Sequence, residues 1–115
     1  MCSSDLTAAM EAEARETLGL ARAHIRSAVP PGTVLCLPTA PCIAPRTDAS
    51  ASELDAFRTR AMALTSIAGV SGLPQVSIPA AVVEGCPVGL SFIGWPGGDE
   101  ALLDLAVALS PYCGA

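Results

Sequence analysis

The chain carries few side chains able to do chemistry, and they are scattered. His24 is its sole histidine and lies between Arg22 and Arg26. Acid–base work needs a placed partner within hydrogen-bond reach, and helical spacing supplies none here. His24 therefore reads as an exposed or half-buried helical residue. Cys86 precedes Pro87 in a turn with no histidine near it in the sequence, so a Cys–His pair could arise only through the fold. The five cysteines, Cys2, Cys36, Cys42, Cys86 and Cys113, show no Cys-x-x-Cys spacing, and no zinc site is expected. Their odd number argues against a closed disulfide framework and suits the reduced thiols of a cytoplasmic protein. Glu11, Glu13 and Glu16 read as a solvated helix face, and Asp99-Glu100 as a helix start. Gly97-Gly98 could offer amide N–H groups to an anion, but a plain loop accounts for the pair. All six basic residues are arginine, and the chain has no lysine. Neither a catalytic residue nor a cofactor or metal ligand is expected among these groups.

Periodicity gives the elements that would have to position any site. Leu6, Met10, Ala14, Leu18, Ala21 and Ile25 recur at helical spacing, with Ser4 or Asp5 available as a cap. Glu11 and Arg15 form a favourable i,i+4 pair, and Arg22 and Arg26 an unfavourable one. Pro30-Pro31-Gly32 ends that helix. Val34 to Leu37 is a short apolar strand, consistent with a buried position and stopped by Pro38 and Pro41. The loop from Thr39 to Ala51 is long for a compact domain, and such loops are often functional. Ser52 and Asp55 resemble a capping box for a second helix over Glu53 to Ala68, with Gly69 and Gly72 allowing a tight exit. Val76 and Ile78 alternate with Gln75 and Ser77 in a strand ending at Pro79. A further strand runs from Pro87 to Gly94, with Val88, Leu90 and Phe92 on one face and Gly89, Ser91 and Ile93 on the other. Gly89 inside it marks a bulge or a close backbone approach. Glu84-Gly85 permits a hairpin, although a longer, unpaired connection is also open. Asp99 caps a last helix, and Trp95 packs beneath it. The expected fold class is α/β: helix, strand, helix, strand, strand, helix, with a small mixed sheet and flanking helices.

The 115 residues suffice for one domain. Hydrophobic residues make up 51% and charged residues 15%, with mean hydropathy +0.52. A soluble domain usually carries about 25% charged residues, and a small one needs more polar cover. The composition thus resembles the interior of a larger protein and favours self-association. The net charge of −5 leaves no basic patch for nucleic acid. No apolar run reaches the ~20 residues of a membrane span, and the first residues lack the apolar core of a secretory leader.

Several stretches, taken in order, resemble the C-terminal end of the amidase signature family. They are Val34-Leu35-Cys36-Leu37-Pro38-Thr39-Ala40-Pro41 with Ala44-Pro45, then Gly72-Leu73-Pro74-Gln75-Val76-Ser77-Ile78-Pro79. Gly85-Cys86-Pro87-Val88-Gly89-Leu90-Ser91-Phe92-Ile93-Gly94 follows, and then Asp99 with Leu102-Leu103. Phe57-Arg58-Thr59-Arg60-Ala61 and Leu64 to Gly72 look most like the indole-3-acetamide-type branch. The resemblance implies one segment, residues 1–115, belonging to the C-terminal part of an amidase domain that hydrolyses carbon–nitrogen amide bonds. Family members use a serine nucleophile, a second serine in a cis peptide and a lysine base, all in an upstream Gly/Ser-rich core. This chain holds no lysine, so alone it is expected to be inactive. The resemblance further implies that the Thr39–Ala51 loop borders the active-site cleft. Met62, Thr65 and Ser66, on the helix before Gly-Leu-Pro, would line the substrate end of that cleft. A small-molecule amide would then be the partner once the core is supplied. The alternative is a non-catalytic module that binds a partner through its apolar sheet.

Overall fold

The structure is a computed structural model that describes residues 7–114. Leu6 and the proposed caps Ser4 and Asp5 lie outside them. Three helices and three strands follow in the expected order: α1 (Ala8–Ala28), β1 (Leu35–Pro38), α2 (Ala51–Ser71), β2 (Gln75–Val83), β3 (Cys86–Ile93) and α3 (Asp99–Leu109). A single 3-10 turn, Ser110–Tyr112, follows α3.

The sheet has the order β1-β3-β2, and both pairings are antiparallel. It was expected to be mixed. β1 and β2 do run parallel to each other, as a strand–helix–strand crossover demands, but β3 inserts between them. β2 and β3 form a hairpin, one of the two arrangements left open by the sequence. Glu84 (φ 50°) and Gly85 (φ 76°) make its turn, the double positive φ that matches strand twist in two-residue hairpins. The register slips between Pro79 and Ala81, which puts a bulge opposite the Gly89–Val88 step.

Helices cover both faces. Val29, Leu37, Leu73 and Ile93 form one buried cluster, packed by Ile25 from α1 and by Leu64, Ile67 and Ala68 from α2. Ile78, Phe92 and Leu102 form the other, with Leu105, Ala106 and Leu109 of α3. β3 therefore divides its alternate side chains between two small cores, as its period-2 pattern requires.

All three helix starts differ from expectation. α1 is capped by Thr7, whose hydroxyl accepts from Met10 N–H at 3.2 Å, and not by Ser4 or Asp5. α2 is capped by Ser50, not Ser52: the Ser50 hydroxyl accepts from Glu53 N–H, and the Glu53 carboxylate accepts from Ser50 N–H. Glutamate reaches back across a turn where Asp55 is too short, so the full Ser-x-x-Glu box prevails. α3 is capped by Gly98, whose carbonyl accepts from Leu102 N–H. Asp99 is thus the first helical residue, where its charge still meets the positive helix end. Trp95 lies against Gly98, where an added Cβ would sit 2.9 Å from the indole, so the ring does pack beneath the start of α3.

α2 runs on through Ser71 and stops at Gly72, the left-handed residue (φ 67°); the N–H groups of Gly72 and Leu73 both reach the Ala68 carbonyl. Arg26 of α1 donates from Nε to the Ser71 carbonyl at 2.7 Å. A Cβ on Gly72 would lie 3.0 Å from Arg22 Nη2 and 3.2 Å from Arg26 Nη2. The two arginines, a like-charge pair along α1, thus meet at the negative end of α2, where cations are favoured. Glu11 and Arg15 pair as expected, at 2.8 Å.

The molecule is a slab, 50 × 43 × 17 Å, with a radius of gyration of 17.0 Å. A compact chain of this length would have a radius near about 13 Å. The apolar stripe expected on α1 is left uncovered over its first half: Met10 and Leu18 are exposed, and no α1 residue is fully buried.

Candidate cleft wall

α2 is built in two halves. Its first half carries Glu53, Asp55, Arg58 and Arg60, whereas Ala61 to Ser71 contains no charged residue. An amphipathic surface helix keeps charges on its outer face. Here the second half is uncharged all round, yet only one side of it is packed. Leu64, Ile67 and Ala68 face the sheet. At 100° per residue, Met62 and Ser66 point away from that side, with Thr65 at its margin. Met62 is 65% exposed, Thr65 is exposed and Ser66 is half-buried. The three residues singled out in the sequence therefore share an outward, charge-free strip. Gly69 extends the strip without a side chain, and a Cβ added there would meet nothing within 4 Å.

Uncharged side chains of this kind make a wall. They can exclude water and hold an apolar group, and the Thr65 and Ser66 hydroxyls can each donate or accept one hydrogen bond. They include no general base, since no histidine, carboxylate or lysine lies on this half of α2. His24 is exposed on α1. Among the described residues, no group of three or more His, Cys, Asp and Glu side chains is placed to hold a metal ion. Cys36, Cys42, Cys86 and Cys113 are free thiols. No described helix is long and apolar enough to cross a membrane.

One arrangement escaped the sequence reading. Thr39 leaves β1 and lies over β3, its N–H donating to the Gly89 carbonyl at 3.2 Å. Its hydroxyl is 2.7 Å from both Ser77 Oγ and Ser91 Oγ. Ser91 is completely buried, and Thr39 satisfies its hydroxyl. A Cβ on Gly89 would meet Thr39 Oγ1 at 2.8 Å and Ser77 Oγ at 3.2 Å. Gly89 thus marks both a bulge and a close approach. The available signal was Ser77, Gly89 and Ser91 falling on one sheet face.

The amidase family model matches residues 2–103. Amidase 1 of Arabidopsis thaliana is 44% identical over 79 residues, which cover 69% of this chain and 19% of that protein. Outer envelope protein 64, chloroplastic, also of Arabidopsis thaliana, is 37% identical over 90 residues, 78% of this chain and 15% of that one. Among solved structures, an amidase superposes with a TM-score of 0.79 and 30% identity, over 95% of this chain and 26% of that chain. A glutamyl-tRNA(Gln) amidotransferase polypeptide from Thermotoga maritima shares the fold, with a TM-score of 0.75 at 22% identity over 89% of this chain and 23% of that one. The chain spans under a fifth of the length of these two curated relatives.

Proposed function

This chain belongs to the amidase family, and we propose that it supplies the sheet and one wall of the substrate cleft of a hydrolase acting on carbon–nitrogen amide bonds. In this reading residues 1–115 are a single segment of the amidase domain, its C-terminal part. The nucleophilic serine, its partner serine and the lysine come from the upstream core. Met62, Thr65 and Ser66 line the side-chain end of a small-molecule amide.

The observation that carries the reading is the uncharged outer strip of α2. A helix without charges on any side belongs in an interior, yet Met62 stands 65% exposed. Something apolar is therefore expected against it. The absence of lysine agrees with catalysis residing elsewhere. Four free thiols among the described residues suit a cytoplasmic setting, though one relative is named for the chloroplast outer envelope.

Complementation tests this reading. An amidase core ending before the region matched here would be mixed with the chain, and ammonia release from aliphatic and aromatic amides followed. Turnover by the mixture, with none from either part, is expected. A core that binds the chain and stays inactive would refute it. The second reading, a non-catalytic module, draws on exposed Leu35, Val82 and Val83 on the two edge strands. It predicts such binding without turnover.

A further inference from the structure

The long loop between β1 and α2 borders a half-open cavity of about 460 Å³ on the other side of α2 from Met62. Thr39, Ile43 and Pro45 of the loop, Phe57 of α2, and Pro87 and Val88 of β3 line it. Phe57 and Met62 are five residues apart, about 140° around the helix, so the cavity and the outward strip are separate places. The volume lies within the ~300–1,000 Å³ of ordinary small-molecule pockets.

Three features say what would occupy it. First, no charged side chain lines it. The loop's own charges, Arg46 and Asp48, pair with each other at 3.0 Å and stay exposed. An ion entering would lose hydration without gaining a partner. Second, the walls are prolines, branched aliphatics and one phenyl ring, which reward apolar surface and stacking. Third, the loop is tied at both ends. Thr39 is fastened to Ser77, Ser91 and Gly89, and Ser50 and Glu53 lock the start of α2. A wall held by its own chain needs little ordering when a small molecule binds, and that lowers the cost of binding.

The geometry points to a second ligand site, for a neutral, mainly apolar small molecule of one or two rings. It lies apart from the α2 strip, beneath the loop that the amidase resemblance sets at the border of the cleft, and its test does not depend on turnover. Cys42, an exposed free thiol, also lines the cavity and reports on its occupancy.

The test uses three probes of one shape: benzyl alcohol, benzoate and benzylamine. Amide N–H spectra of the chain are followed by NMR during titration, and alkylation of Cys42 and Cys36 is timed by mass spectrometry. Benzyl alcohol is expected to give saturable shifts at residues 39–45, 57 and 87–89. It should slow alkylation of Cys42 several-fold while leaving Cys36 unchanged, and the two charged probes should bind at least tenfold more weakly. Ala44→Phe, which fills the cavity from its loop side, should abolish these effects. Ala40→Phe serves if the first variant loses its native circular dichroism. Met62→Lys, on the far side of α2, should preserve the shifts and the protection. Equal binding of the three probes, shifts that follow protein concentration and not the probe, or benzyl alcohol binding that survives both filling variants would overturn the site.

Discussion

Gly89 has no side chain where Thr39 comes down on the sheet: a Cβ at Gly89 would stand 2.8 Å from Thr39 Oγ1. That approach fixes the start of the long loop, because it brings the Thr39 hydroxyl within 2.7 Å of Ser91 and Ser77. Gly89→Ala must push Thr39 off or bend the central strand. Overpacking of this kind costs about 1–3 kcal/mol. Thr39→Val keeps the shape and removes the hydroxyl, which leaves buried Ser91 without its partner, again at about 1–3 kcal/mol. Chemical unfolding should show both losses. Thr39→Ser should recover most of the second, since serine restores the hydroxyl and gives up only a methyl.

The box at the head of α2 makes a smaller claim. Ser50→Ala removes the acceptor for Glu53 N–H and should cost about 0.5–2 kcal/mol, whereas Ser52→Ala should change the urea midpoint little. The reverse outcome would restore Ser52 as the cap. At the other end of the helix, Gly72→Ala introduces a side chain at φ +67° and within 3.0 Å of Arg22 Nη2. The left-handed backbone alone disfavours alanine by about 1–2 kcal/mol, and the displaced guanidinium adds to it.

Element order was legible because it rests on period. The alternation through Leu90, Ser91, Phe92 and Ile93 packs as its spacing requires. Boundaries were less legible where two local signals compete. Ser50 and Ser52 both precede an acidic residue at the third position, and only glutamate's reach separates them. Strand order was hidden because nothing in β1 states that β3, rather than β2, will lie beside it. The Thr39 clamp joins residues 38 and 52 positions apart, and no local pattern spans such a distance. The α1 stripe was legible as a stripe, but periodicity cannot say whether anything covers it, and Met10 and Leu18 stay exposed among the described residues.

That missing cover governs behaviour in solution. Met10, Leu18, Met62, Leu103 and Val107 are each at least half exposed on a slab 17 Å thick. Contiguous apolar patches beyond a few hundred Å² mark interaction or aggregation sites, and a charge of −5 acts only over roughly 8 Å at physiological salt. Light scattering on the isolated chain should show association that grows with concentration, accompanied by binding of a hydrophobic dye. Met62→Lys combined with Val107→Lys should lower both. A dye-negative monomer at all concentrations would show that the slab closes its own surface.

Activity divides along the same line. The chain alone should release no ammonia from indole-3-acetamide or from simple aliphatic and aromatic amides, because it has no lysine and no base on the uncharged half of α2. Turnover by the purified chain would sink the cleft-wall reading outright. In a complemented amidase, the wall should act on selectivity and not on the chemical step. Met62→Ala removes apolar contact from the side-chain end of the substrate. One or two methylene groups in such a pocket are worth about 1–3 kcal/mol. The KM for bulky amides should therefore rise by roughly 10- to 200-fold, with kcat and the KM for acetamide nearly unchanged. An equal fall in kcat for large and small amides would instead place Met62 in packing that supports the core, and would remove it from the cleft.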